Sequence, residues 1–291
     1  MGSDDSVIVP PEEQIASDLE HLKEWMSKQP HLPLIKDEEW LKTVLYNNKF
    51  SLEKTKLKLE NYYTFRTKYP HILKNRDPTG QDVLKAREFI KFGLGQKRLK
   101  DGSLVIFVKY SNPSAFDGNI YAKRMFMNYD MLLHDPANRL TRFVSIIDLQ
   151  DFSSVHALKL MSVMGTISEI TNLAYAQRTK VIHLINFPSF ASTFLEAMKK
   201  FFPAKLTSRI RAHPPGDRTL FETVDEDVVC SDFGGKGPTL AELEDEMQKK
   251  LEKMRGWFEE EENLCSNESL RRKDFNQVEE MRGSFRKLEV D

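Results

Sequence analysis

Two cysteines, Cys230 and Cys265, are all that 291 residues contain. So few exclude a disulfide framework and a cysteine-rich structural zinc site, and they suit a reducing cytosol. No stretch comes near the roughly 18 consecutive apolar residues that a bilayer span requires. The longest apolar runs, Phe143 to Leu149 and Val181 to Phe187, are strand-sized. An excess of one charge is missing too, since 43 Lys and Arg face 44 Asp and Glu. No nucleic-acid partner is expected, and any anionic partner must be met by a local patch. Met1 to Gln14 is acidic and has no apolar h-region, so it is not expected to act as a signal peptide. Met1-Gly2 followed by Ser6 fits the myristoylation pattern, but Asp4 and Asp5 would repel an anionic membrane, and a free polar tail is expected.

What is present suffices for a core. The chain is 40% hydrophobic and 30% charged, which excludes wholesale disorder. The length suggests about two structural units. Residues 12 to 75 read as helices. Ile15, Leu19, Leu22 and Met26 repeat at helical spacing, Asp37 opens a second helix, and Ser51 caps a third that Pro70 ends. From about 80 to 235 strands alternate with helices. Leu104–Tyr110, Phe143–Gln150 and Lys180–Phe187 are the strands, with a short one near Arg209–His213. Helices are expected around 120–134, 155–176 and 189–202. Nearly continuous apolar strands between helices predict a mainly parallel sheet covered on both faces, an α/β unit. From Pro238 onward the sequence is highly charged. A helix starting at Thr239 and ending near 260 is expected, then a mobile or loosely docked tail that includes Phe275 and Phe285.

Motifs for catalysis fail their first tests. Gly93 and Gly95 are not followed by a phosphate-loop pattern, and Gly234-Gly235-Lys236-Gly237 has no preceding strand, so both read as turns. No GxSxG elbow and no HExxH occurs. His183 and His213 read as structural, and Asp148 as an acceptor organising a loop. Two features rise above background. Between Arg178 and His213 lie seven basic residues, Arg178, Lys180, Lys199, Lys200, Lys205, Arg209 and Arg211, against one acid, Glu196. Within the same stretch, Phe190, Phe194, Met198 and Phe201 form one apolar stripe flanked by Leu195 and Phe202.

Asn61-Tyr62-Tyr63, Arg76-Asp77-Pro78-Thr79-Gly80, Ile146-Ile147-Asp148-Leu149, Ile182-His183-Leu184-Ile185-Asn186 before Pro188, Phe201-Phe202-Pro203 and Phe233-Gly234-Gly235 follow in that order. In order and spacing they resemble the CRAL-TRIO lipid-transfer proteins over roughly residues 12 to 245, most closely the tocopherol-transfer and retinaldehyde-binding branch. The resemblance implies an all-α N-terminal bundle (1–80), an α/β lipid-binding domain with a mainly parallel sheet (81–237) and a charged C-terminal helix and tail (238–291). It implies a non-enzymatic cytoplasmic carrier without cofactor, associating peripherally with intracellular membranes. Its ligand would be a tocopherol, retinoid or related isoprenoid held under a mobile gate helix.

Carried over residue by residue, the pocket would be lined by Met125, Phe126, Tyr129, Phe143, Ser145, Ile147, Phe152, Leu160, Ile167, Ile170, Ile182, Leu195 and Met198. Tyr129 and Ser145 would be polar anchors. Arg178, Lys180, Lys205 and Arg209 would hold phosphoinositide headgroups, and Phe190 and Phe194 would touch the membrane. One departure is Tyr46-Asn47-Asn48-Lys49-Phe50, which stands where the family carries an arginine-rich motif. The alternatives are a phospholipid or phosphoinositide transfer module and a signalling scaffold whose tail binds a protein partner. Polar groups deep in the pocket would favour the former.

Overall fold

The computed structural model describes residues 7–35 and 37–271. The Gly2–Ser6 motif, Lys273, Phe275 and Phe285 lie outside the described residues. The N-terminal helices are α1 (Glu12–Ser27), α2 (Glu38–Asn47) and α3 (Leu52–Lys68). Their starts follow local chemistry. The Asp37 carboxylate accepts from Trp40 N at 2.9 Å and the Ser51 hydroxyl from Lys54 N, satisfying amides that the first helical turn leaves open. Two single turns, α4 (Pro70–Leu73) and α5 (Gln81–Lys85), lead into the sheet.

The sheet elements are β1 (Ile90–Leu94), β2 (Leu104–Tyr110), β3 (Arg142–Asp148), β4 (Arg178–Ile185) and β5 (Ile210–Ala212), hydrogen-bonded in that order. β1 is antiparallel to β2 and the other pairings are parallel. Helices α6 (Gly118–His134) and α7 (Ser154–Leu173) cross between parallel strands. After β4 come α8 (Ala191–Lys199) and the single turn α9 (Ala204–Thr207), then β5. The fold is mixed α/β with a helical N-terminus.

The central strands β2 and β3 bury both faces. Val105, Phe107, Val144 and Ile146 point into one core with Val229, Cys230 and Phe233. The alternate residues point into a second core, shared with α3, α6 and α7. This explains why the strands are apolar throughout rather than alternating.

Two expectations need correction. Gly93 is not in a turn but inside β1. A Cβ there would come within 3.0 Å of Leu240 and Leu243, so glycine allows the following helix to lie directly on the strand. That helix, α10 (Leu240–Lys253), is closed at its start by a Thr239–Glu242 capping box. The chain beyond it is not loosely docked, at least to residue 271. Helix α11 (Arg255–Glu261) buries Phe258, and Ser266 N donates to Tyr63 O at 3.1 Å. Arg271 donates to Thr64 at 2.8 Å and pairs with Glu60 on α3. Too few apolar residues suggested a tail, yet polar contacts to α3 hold the segment.

Two motif residues, Tyr62 and Arg76, meet Asp130 at the junction between the helical and sheet regions. Asp130 on α6 is fully buried. It accepts from the Tyr62 hydroxyl at 2.8 Å and pairs with Arg76. Arg66 lies 3.7 Å over the Tyr62 ring and 3.1 Å from Glu261. Lys58 adds a bond to the Tyr175 carbonyl at 2.8 Å, beyond the end of α7.

Candidate functional site, an apolar cavity beneath the chain linking β4 to β5

A cavity of about 210 Å³ lies on one face of the sheet. A single water needs only about 10–15 Å³, so this is not a packing defect. Its floor follows the two-residue period of the strands. Ile106 and Val108 of β2, Ser145 and Ile147 of β3, and Ile182 and Leu184 of β4 share that face. Met125 and Tyr129 on α6, and Leu160 and Ile167 on α7, form the walls, with Phe152 between β3 and α7. Phe194, Leu195 and Met198 of α8 cover it.

Ten of the thirteen expected pocket residues therefore border the cavity, and Phe126, Phe143 and Ile170 do not. Phe126 is fully buried and stacks on Tyr175 instead, with ring centroids 5.2 Å apart. Ile170 lies about 100° round the helix from Thr171, which does border the cavity, and is fully buried in the core. Phe143 is buried at the start of β3, where the register against β4 shifts. Cavity residues absent from the expectation include Phe92 of β1 and Met247 of α10. Phe92 was hidden with its strand. Met247 was legible as part of the Leu240, Leu243, Met247, Leu251 stripe.

The covering helix is shorter than the expected 189–202. Phe190 precedes it, is 47% exposed, and lies parallel to Phe152 with centroids 6.4 Å apart. Phe194 borders the cavity and approaches Phe152 at 5.4 Å. Phe190 is thus accessible from outside, whereas Phe194 belongs to the cavity lining.

The loops at the mouth are tied by motif residues. Asp148 accepts from Gln150 N at 3.0 Å and Asn186 Nδ2 at 2.8 Å, and pairs with Lys109 at 3.0 Å. Asn186 has φ 51°, a left-handed conformation that Asn tolerates, so the chain turns sharply from β4 toward the covering segment.

Arg178 and Lys180 lie in the first half of β4, Arg209 just before β5, and Lys205 on the exposed turn α9. Three of them have partners. Lys180 pairs with Asp101 at 2.6 Å, Arg178 donates to Leu140 O at 2.7 Å, and Arg209 bonds to Thr179 O. Burial opposes ionisation of Asp101, yet bonds from Lys180 and Ser103 hold its carboxyl down to about 2. An anionic headgroup arriving here would share Lys180 with that carboxylate.

On the opposite sheet face, His183 of β4 and His213 just after β5 share a hydrogen bond of 2.9 Å. Burial, then repulsion from His213, Arg211 and Lys180, lowers the His183 pKa to about 4. The unfolded chain therefore takes up this proton first, from about pH 6.5. Stability should fall as pH drops from about 6.5 to about 4, by about 1–2 kcal/mol after solvent screening. Thermal melts of wild type and His183→Gln across that window check this. A wild-type slope that survives the substitution would assign the proton to another group.

No helix among the described residues is long and apolar enough to cross a membrane. The family model described as CRAL/TRIO domain matches residues 92–235, and that described as Pinta-like, UBA domain matches residues 11–83. Clavesin-1 of Rattus norvegicus is 23% identical over 171 residues, covering 58% of this chain and 43% of that protein. Clavesin-2 of Homo sapiens is 24% identical over 136 residues, covering 46% of this chain and 42% of that protein. The matches thus span under half the length of these relatives. The crystal structure of Sfh5 superposes with a TM-score of 0.51 at 12% identity, covering 81% of this chain and 93% of that one. The mainly parallel sheet, the preceding helices and the family match together make this chain a member of the CRAL-TRIO family, with its CRAL/TRIO domain at residues 92–235.

Proposed function

We propose that this chain is a non-enzymatic carrier that holds one uncharged apolar lipid in the cavity and exchanges it at a membrane. The observation that carries the reading is the cavity itself, floored by the sheet and covered by Phe194, Leu195 and Met198. Burying apolar ligand surface there contributes about 25 cal/mol per Å² relative to water. The donor membrane is apolar too, so selectivity rests on shape and on a few polar contacts. A tocopherol, retinoid or related isoprenoid fits this chemistry. A phospholipid fits less well. Lys199 is the one charged residue among the described residues that border the cavity, and it already pairs with Glu196 at 2.6 Å. Exchange requires the α8–α9 segment to move. Exposed Phe190 and Phe201 would enter the membrane surface, while Lys205 and its basic neighbours attract anionic headgroups.

The test has two arms. Native mass spectrometry of protein exposed to a tocopherol, retinol and phospholipid panel should show one stoichiometric apolar ligand. A protein that stays empty would overturn the carrier reading. Transfer to vesicles should quicken when they contain phosphoinositides and slow with added salt. Lys205→Glu should abolish most of that dependence while leaving ligand affinity in solution unchanged. Lys205 is the better target, since reversing Arg209 would also break its bond to Thr179 O. Transfer indifferent to anionic lipid and salt would remove the membrane arm and leave the carrier.

A further inference from the structure

We propose that Asn128 is the polar anchor of this cavity and that it selects an uncharged lipid bearing a hydroxyl group. The inference rests on the carrier reading and names its ligand class. Asn128 sits on α6 between Met125 and Leu132, and all three border the cavity. It is only 3% exposed, and neither its Oδ1 nor its Nδ2 has a hydrogen-bond partner. Most buried side-chain polar atoms have a partner, so a side chain whose donor and acceptor are both unmet stands out. Thr171 on α7 also borders the cavity, and its hydroxyl is likewise without a partner.

The two unmet groups of Asn128 define what satisfies them. A hydroxyl accepts from Nδ2–H and donates to Oδ1, and Thr171 can extend the network. An ether, ester or aldehyde oxygen only accepts, which leaves Oδ1 unmet. A carboxylate or phosphate needs a cation, and the bordering ammonium, Lys199, is on the covering helix with its own partner, Glu196. Leaving a buried acceptor unpaired penalises the wrong ligand more than a generic apolar mismatch does.

Hexadecan-1-ol, hexadecyl methyl ether, hexadecane and palmitate, competed on the full chain by native mass spectrometry, test this directly. Wild type should prefer the alcohol over the ether by about tenfold or more. Asn128→Leu, close in volume, should lose that preference while binding hexadecane at least as well. Thr171→Val should weaken it partially, and serves if the Asn128 variant fails to fold. Equal wild-type affinity for alcohol and ether, or selectivity retained in Asn128→Leu, overturns the anchor while the carrier stands. A cavity that takes none of the four overturns both.

Discussion

Asp130→Ala should lower stability by about 3–5 kcal/mol, the usual cost of removing one partner from a buried ion pair. For a chain of this size that corresponds to roughly 10 °C in the melting temperature. The carboxylate is fully buried and holds Arg76 and the Tyr62 hydroxyl. Arg66 stands 3.9 Å away, with Glu261 on its other side. Without Asp130, the fully buried Arg76 guanidinium loses its counterion. Asp130→Asn should recover little, since it restores shape without charge. Thermal denaturation of the two variants decides the matter. An Asn variant as stable as wild type would show that hydrogen-bond geometry, not charge, holds the junction. Ligand uptake should fail together with unfolding, because α6 supplies both Asp130 and the cavity wall.

The second large effect concerns the C-terminal segment. Removing residues 254–291 should destabilise the whole chain by about 4 kcal/mol or more, judged from the loss of a buried phenylalanine alone. Phe258 is 2% exposed, Arg76 approaches its ring at 5.3 Å, and Glu261 faces Arg66 at 3.1 Å. Burial raises the pKa of Glu261, an effect that Arg66 opposes. Ser266 and Arg271 then bind α3. Phe258→Ala and Glu261→Gln separate the apolar from the ionic part, and both should lower the melting temperature. A truncated chain with an unchanged melting temperature would show that α11 is dispensable to the fold. Such a truncation cannot cleanly divide a carrier from a scaffold, because it removes structure along with any partner surface.

Several features were legible locally. The span Leu104–Tyr110 follows from its apolar run, and Asp37, Ser51 and Thr239 announce their helices. A capping side chain answers amides within three residues, and strand or helix periodicity is a property of one segment. Such rules need no knowledge of the rest of the chain. Most of the cavity lining was named by carrying the family resemblance over residue by residue, Ile182 on the third strand and Leu195 and Met198 on the covering helix among them.

What stayed hidden depends on contacts between distant segments. The sequence by itself determined β2 to β5, the main helices and their order, and the apolar character of both faces of β2 and β3. Only the tertiary structure decided which face holds a cavity and which packs solid against Val229 and Phe233. It also decided that Gly93 yields to α10, and that Tyr62, Arg66, Arg76, Asp130 and Glu261 meet in one buried cluster. The unmet amide of Asn128 belongs to the same class. A polar group is unsatisfied only relative to what surrounds it, and a void exists only between elements brought together. Local periodicity states which side chains leave water, whereas long-range register and close packing decide what they meet there.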